Sequence, residues 1–240
     1  MMEKQEDNHP LGKPEVVSTP DNTNLGKLTK LAPVDLIPAD LKNIPGIAGN
    51  ISAFIKRFPT ETSFVITDET IAENMNALLN GFTHFEDFDL EDFPELALPN
   101  GDYRRLIIYG SLRELTPDIL FGVILETNPA LRGKGAGVAF QEHLANLARN
   151  LGYKFLSGCQ HTEDLALFFL KRGRYLMEEV KDELRTEFRI IGRQEEEADW
   201  EELFFTIKFL NPEDITRYIK PERIDTSVED KIEFKKKYYA

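Results

Sequence analysis

The chain has one cysteine, one tryptophan and no apolar run approaching the length of a membrane span. A lone Cys159 excludes an intrachain disulfide and argues for a reducing compartment. Without about 18 consecutive apolar residues no transmembrane helix is expected. Basic residues are also scarce: 29 Lys and Arg face 42 Asp and Glu, a net charge of −13. That balance opposes binding to nucleic acid or an anionic membrane through bulk charge. The first residues, Met-Met-Glu-Lys-Gln-Glu-Asp-Asn, are too polar for a secretory signal, so a cytoplasmic location is expected. No repeat at solenoid spacing is present.

Length and composition favour one domain with appendages among the 240 residues. Residues 1–26 are polar, carry Pro10, Pro14 and Pro20, and are expected to be disordered or loosely docked. Residues 27–210 are expected to form the domain. Residues 211–240 are read as a helix near Pro212 to Ile219 followed by a charged tail. Within the domain, the stretch from Lys27 to Leu36 and the stretch from Ser63 to Thr67 are both candidates for the first strand. Ile47, Ile51, Phe54, Ile55 and Phe58 suggest an amphipathic helix, as do Ile71, Met75, Leu78 and Leu79 over Thr70 to Phe82. Arg104 to Tyr109 and Ile119 to Leu125 read as strands, with Gly110 to Pro117 as their connection. Glu183 to Ile191 and Leu203 to Leu210 read as an antiparallel pair around a charged loop.

The most informative stretch is Val123 to Val138, VILETNPALRGKGAGV. An apolar run ends at Pro129, a basic glycine-rich loop follows, and a helical pattern begins at once. Gly133, Gly135 and Gly137 let backbone N–H groups turn inward without a Cβ in the way. A helix beginning here adds unpaired N–H groups and its positive dipole end, and Arg132 and Lys134 add full charges. This chemistry suits a pyrophosphate. The spacing is not that of a P-loop, because Gly133-Lys134 is followed by Gly135 and position 128 is Asn. Nor is it Gly-x-Gly-x-x-Gly, whose last slot falls on Val138 or Phe140.

What remains, Arg-x-x-Gly-x-Gly with Pro three residues before the Arg, resembles the acetyl-CoA loop of the GCN5-related N-acetyltransferases. The resemblance runs from about Asp118 to Met177, roughly a quarter of the chain. Phe140, Leu144, Leu147 and Leu151 form one helical stripe, Gly152 stands at its C-cap, and Tyr153 to Ser157 reads as the next strand. Leu165, Phe168 and Phe169 give a second helix that ends at Lys171-Arg172-Gly173.

The resemblance implies an α/β (α+β) fold with a mixed, mostly antiparallel central sheet flanked by helices. It implies direct transfer of an acetyl group from acetyl-CoA, or of another acyl group from its acyl-CoA, to an amine on a small molecule or a protein. By position, Leu125, Glu126 and Thr127 match the strand that pairs with the pantetheine arm. Arg132, Gly133, Lys134, Gly135, Ala136, Gly137 and Val138 match the pyrophosphate loop. A homodimer is allowed for.

The usual general-acid Tyr falls at Phe169, which has no hydroxyl, and the residue after the closing Gly is Arg174 instead of Phe. Asp118, fourteen residues before Arg132, and Glu126 are the catalytic candidates for deprotonating the amine. The alternative is a CoA-binding or protein-interaction module that has lost transfer, for which Phe169 is the main support. The acidic, aromatic stretch from Phe85 to Leu96 reads first as a solvated face over buried Phe side chains; the resemblance also implies a part in shaping the site for a cationic acceptor. Cys159 and His161 lack the partners of a nucleophilic or metal site, and no metal is expected.

Overall fold

The computed structural model describes residues 26–47, 50–57, 61–68, 106–128, 131–192 and 203–238. The polar N-terminal stretch up to residue 25, the expected helix from Thr70 to Phe82, the acidic stretch from Phe85 to Leu96 and the loop around Glu195 lie outside the described residues. Among the described residues, seven strands form one sheet in the order β1-β2-β3-β4-β5-β7-β6. They are β1 (Ile51–Arg57), β2 (Glu61–Asp68), β3 (Leu106–Thr116), β4 (Ile119–Thr127), β5 (Phe155–Gln160), β6 (Tyr175–Leu176) and β7 (Phe204–Phe209). Every pairing is antiparallel except β4 with β5. The helices around them are α1 (Ala136–Asn150), α2 (Glu163–Leu170), α3 (Asp182–Gly192), α4 (Pro212–Tyr218) and α5 (Val228–Tyr238). The architecture is the expected mixed, mostly antiparallel sheet flanked by helices.

One face of the sheet carries α1. Phe140, Leu144 and Ala148, on its buried stripe, pack on Phe64, Ile66, Ile108, Leu112, Leu120 and Leu156. Phe64 and Phe140 stack at 5.3 Å. The opposite face packs Ile119, Phe155, Ile207 and Phe209 under Leu184 and Phe188 of α3. A third cluster joins Ala166 and Leu170 of α2 to Leu176 and to Ile232 of α5.

The structure corrects four of the sequence readings. Lys27 to Leu36 is not a strand but a pair of short 3-10 turns, Leu28–Lys30 and Pro33–Leu36, followed by a third at Ala39–Asn43. Pro33 and Pro38 interrupt any ladder, and Leu28, Leu31, Leu36 and Leu41 are buried at a spacing that no strand provides. The segment straps over α1, where a ring nitrogen of His143 lies 2.6 Å from the Asp35 carbonyl oxygen. The expected helix around Ile51 is β1: Ile51, Ala53 and Ile55 face the α1-side core with period 2, so β1 opens the sheet and Phe64 lies in β2. Gly110 to Thr116 is no connection but the continuation of β3, leaving only Pro117 and Asp118 as a turn. Glu183 to Ile191 is helical, because Leu184 and Phe188, four apart, meet one core. Phe204–Phe209 is a strand as expected, but it pairs with β5 and β6.

The charged C-terminal segment is a docked helix rather than a tail. The carboxylate of Glu179, fully buried, accepts from the Leu176 N–H at 2.9 Å and from Lys231 Nζ at 3.1 Å, with Arg223 at 3.3 Å. Lys235 Nζ reaches Glu178 Oε1 at 3.1 Å. Removing one member of such a pair leaves the other charge buried without a counter-ion. Glu179→Ala is expected to lower the unfolding free energy by about 3–5 kcal/mol in urea titration. Lys236→Ala, which breaks a half-exposed pair with Glu163 at 3.2 Å, is expected to cost under about 1 kcal/mol. Equal losses would contradict this assignment.

Candidate functional site

β4 ends at a pinned residue. Asn128 is buried, its backbone N–H donates to the Ile107 carbonyl at 3.0 Å, and its Nδ2 donates to the Leu106 carbonyl at 2.7 Å. Its carbonyl accepts from the Leu131 N–H at 2.9 Å, which brings the chain round, and Leu131 plugs into the core. Arg132, Gly133 and Lys134 then stand exposed at the rim. Gly133 (φ 75°) and Gly135 (φ 99°) are left-handed, and a Cβ on either would meet only open space. These two glycines serve the backbone path, leaving the ground in front of them free.

Gly135 is the N-cap of α1 and provides no side-chain cap. The N–H groups of Ala136, Gly137 and Val138 find no acceptor among the described residues. They form the open positive end of a 15-residue helix. Gly137 acts differently, through packing. A Cβ there would lie 3.0 Å from Thr127 Oγ1, so its absence lets α1 press onto the end of β4. Lys134 Nζ lies over Gly46, 3.4 Å from where that residue's Cβ would be. Ala136 is buried beneath this loop, and Arg132 and Lys134 are exposed on either side of Gly133.

The second half of the site is a gap in the sheet. β4 and β5 pair from Ile119↔Phe155 to Gly122↔Gly158 and no further, although β4 continues to Thr127 and β5 to Gln160. Each stays paired on its outer side, β4 with β3 up to Thr127↔Ile108 and β5 with β7 up to Gln160↔Phe204. A β-bulge in β4 between Gly122 and Ile124 adds a residue where the strands part. The backbone alternation follows from Asn128, whose N–H points to β3. Glu126 must then also direct its N–H and C=O to β3, and Leu125 and Thr127 direct theirs into the gap. The gap runs from Gly122 and Gly158 to the loop, about 17 Å for five strand residues.

Glu126 and Asp118 are not brought together. Leu125 packs in the α1-side core, and Thr127 faces Gly137, so Glu126 lies on the opposite face, where Tyr109 Oη donates to it at 2.6 Å. Asp118 sits in the turn before β4, at the far end from the loop, and pairs with Lys154 at 2.7 Å. Each is four residues from Gly122, about 13 Å along the strand. Cys159 is half-buried, and burial pushes its thiol up to about 11, so it is no ready nucleophile. Tyr175 lies in β6, separated from the gap by β5 and β7, and packs on the opposite face with Phe209 at 5.8 Å. No group of His, Cys, Asp or Glu among the described residues has metal-binding geometry, and no described helix is long and apolar enough to cross a membrane.

Sequence reasoning missed Arg174 as a site residue. Its side chain is buried over Gly158, with Nη1 3.6 Å from the position a Cβ would take there and the Gly122 carbonyl 3.5 Å from the same point. Its Nη2 donates to Gln141 Oε1 of α1 at 2.9 Å, its Nη1 to Thr206 Oγ1 of β7 at 3.3 Å, and the guanidinium lies 4.5 Å from the Phe169 ring centre. Burial brings it down to about 10. Gln160, also buried, curls back over the same glycine, and its Oε1 has no partner among the described residues. The signal that could have found this residue is the pair of glycines inside strands, which marks a close approach.

No family model matches the chain, and no curated protein matches it in sequence. Solved structures do. Tetrahymena GCN5 is 14% identical, with 62% of this chain and 95% of that chain covered and a TM-score of 0.37. Nourseothricin acetyltransferase is 15% identical over 73% of this chain and 95% of its own, with a TM-score of 0.35. The PaiA N-acetyltransferase of Thermoplasma acidophilum, solved with coenzyme A, is 14% identical over 57% and 79%, with a TM-score of 0.33. Two of the three carry the name acetyltransferase. Likeness at this level extends to neither substrate nor residue roles.

Gly137→Val is expected to force α1 away from Thr127 and lower the melting temperature by several degrees, the effect of roughly 1–3 kcal/mol of overpacking. A melting temperature equal to the wild type would contradict the seating of α1 on β4.

Proposed function

We propose that the chain is an acyl-CoA-dependent N-acyltransferase. The observation that carries this reading is the match between the gap and a phosphopantetheine arm. From phosphorus to sulfur such an arm has about thirteen bonds, roughly 16 Å extended at the per-bond length of a polypeptide. The opening from the loop to the Gly122–Gly158 root is of the same length. With the pyrophosphate on the N–H groups of Ala136 to Val138 and on Arg132 and Lys134, the thioester falls at that root. Leu125 and Thr127 offer the arm the N–H and C=O groups that β5 leaves without a strand partner. The residues fit the group: the loop is cationic and uncapped, the gap is lined by backbone, and glycines clear both ends.

The chemistry asked of the protein is modest. Bound side by side, thioester and amine react at high effective concentration, and positioning supplies much of the rate. The amine nitrogen forms the new C–N bond, the C–S bond breaks with its electron pair on sulfur, and the amine's proton must leave. Asp118 and Glu126 stand too far along β4 for direct contact with the thioester, so neither is assigned that proton transfer. The amine attacks as free base, its proton passing to water. Which amine is taken, and which acyl group, rests with the acceptor side of the sheet.

A second reading, a CoA-binding module without transfer, is favoured by Phe169, which places a ring where a hydroxyl would serve the leaving sulfur. Acetyl-CoA with a panel of amines, followed by release of free thiol, separates the two. Transfer by the wild type removes the second reading, and tight CoA binding without transfer to any amine class removes the first.

Arg132→Ala combined with Lys134→Ala is expected to weaken CoA binding by roughly 10–100-fold, as two charge-assisted contacts are lost. The remaining affinity should depend less on salt. Unchanged affinity in calorimetry would refute the loop assignment. Phe169→Tyr is expected to retain or raise the rate of transfer, measured at saturating acetyl-CoA, because it adds a donor near the sulfur. A large loss with intact folding would show that the ring's packing, not its missing hydroxyl, is what the site needs.

A further inference from the structure

The root of the gap holds a buried cation whose charge is answered only by neutral oxygens. Both hydrogen-bond partners of Arg174, Gln141 Oε1 and Thr206 Oγ1, are uncharged, and no carboxylate among the described residues lies within ion-pair distance. A buried charge without a counter-ion is costly and persists where an anion arrives during function. The anion that arrives here follows from the acyl-CoA reading, on which this inference rests. The arm places sulfur beside Gly122 and Gly158, and Arg174 Nη1 stands 3.6 Å from the Cβ position of Gly158.

We infer that Arg174 is a catalytic residue that receives the departing thiolate of CoA, doing by charge what a tyrosine at position 169 would do by proton donation. As the C–S bond breaks, the electron pair moves to sulfur, and the guanidinium, with N–H donors in a fixed fork, faces the developing anion. The proton stays on Arg174: even lowered to about 10, it is a weaker acid than a free thiol near ~8.5. The thiolate leaves with CoA and is protonated in water, so the enzyme needs no reprotonation between turnovers. The ring of Phe169, under the guanidinium, holds it toward the gap by a cation–π contact. Gln160, with its unpaired Oε1 over the same glycine, adds a polar side chain to that end of the gap.

Around Arg174 stand Gln141 on α1, Phe169 on α2, and Thr206 and Lys208 on β7, with Glu142, Arg149 and the Arg172 carbonyl grouped about Lys208. Lys208 is held below its ordinary range by burial first and by Arg174 second, so it titrates earlier than a free lysine. Its discharge removes one positive charge from the neighbourhood of Arg174. A comparison of CoA with desulfo-CoA, which lacks only the sulfur, cancels that effect.

The test is calorimetric binding of CoA and desulfo-CoA to the full chain from about pH 6 to about pH 9, bracketing a free thiol's ~8.5. A cation beside the sulfur favours the thiolate, so the bound thiol ionises at a lower pH than the free thiol. The advantage of CoA over desulfo-CoA is then present above the free value and lost as pH falls through the bound one. In the wild type the affinity ratio should rise at least ~10-fold across the range, the equivalent of one pK unit. Arg174→Met should flatten it, and Arg174→Lys should restore part of it. In turnover, Arg174→Met should reduce kcat by ~100-fold or more with KM little changed.

A flat ratio in the wild type overturns the inference while leaving the CoA reading intact. So does a pH-dependent ratio that survives in folded Arg174→Met. If the methionine variant does not fold, the wild-type and lysine measurements decide. Failure of the wild type to bind either ligand defeats the CoA reading, and the inference with it.

Discussion

One parallel strand pair in an otherwise antiparallel sheet determines where everything functional stands. Two antiparallel neighbours need only a tight turn, as Pro117 and Asp118 provide between β3 and β4. Parallel neighbours need a crossover, and here it is α1. The crossover must start at the finishing end of β4, so the helix's uncapped N-terminus is delivered to the edge where β4 and β5 part. The contact between Gly137 and Thr127 sets how closely that N-terminus approaches the strand. Loop, dipole and gap are thus one geometric consequence of strand order. The bulge at Gly122 to Ile124 begins the separation before the loop is reached.

The treatment of buried charge divides the molecule. In the C-terminal half, Lys231, Lys235 and Arg223 reach Glu179 or Glu178, and the helix that carries the two lysines is held by those pairs. There the cations serve the fold, and Lys231 is lowered mainly by burial while Glu179 opposes the shift. Arg174, only a few residues before the two glutamates, is given neutral oxygens. Its cost is borne at a place where strand pairing has also been given up. Two unfavourable features that coincide mark a site better than either alone.

The parts of the fold that were legible in sequence are those with local rules. The α1 stripe of Phe140, Leu144 and Leu147 obeys a 3.6 period, and Gly152 and Gly173 end their helices at φ 82° and 75°. The glycine loop was readable because its chemistry is contiguous. What failed was decided by tertiary contacts. Ile51 to Arg57 carries apolar residues that satisfy both periods, and pairing with β2 selects the strand. Leu184 and Phe188 were hidden in an apparently alternating run, and the core beneath them selects the helix. The Lys27 to Leu36 strap has no period because it follows the surface of α1 and the sheet. Arg174 was visible only as a departure from a pattern: its site is made by α1, α2, β5 and β7, elements no spacing rule links.

The acceptor side follows from the same alternation. Leu125 and Thr127 turn their side chains toward α1, so Glu126 and its partner Tyr109 occupy the opposite face near the mouth of the gap. An amine that reaches the thioester from that face passes a carboxylate before it meets the reacting carbon. The same carboxylate is about 13 Å along β4 from the root. At such a distance in a solvated setting a carboxylate attracts a cation but removes no proton from it. On the proposed acyl-CoA reading, Glu126 would serve the capture of a cationic acceptor, and Arg174, across the sheet, the charge left on sulfur. On that reading attraction and leaving-group stabilisation would sit on opposite faces, so the negative group gathering the acceptor would not stand against the thiolate, nor the cation receiving the thiolate repel the incoming ammonium. On that reading the sheet itself separates the two charges, and the opening between β4 and β5 is where the two partners meet.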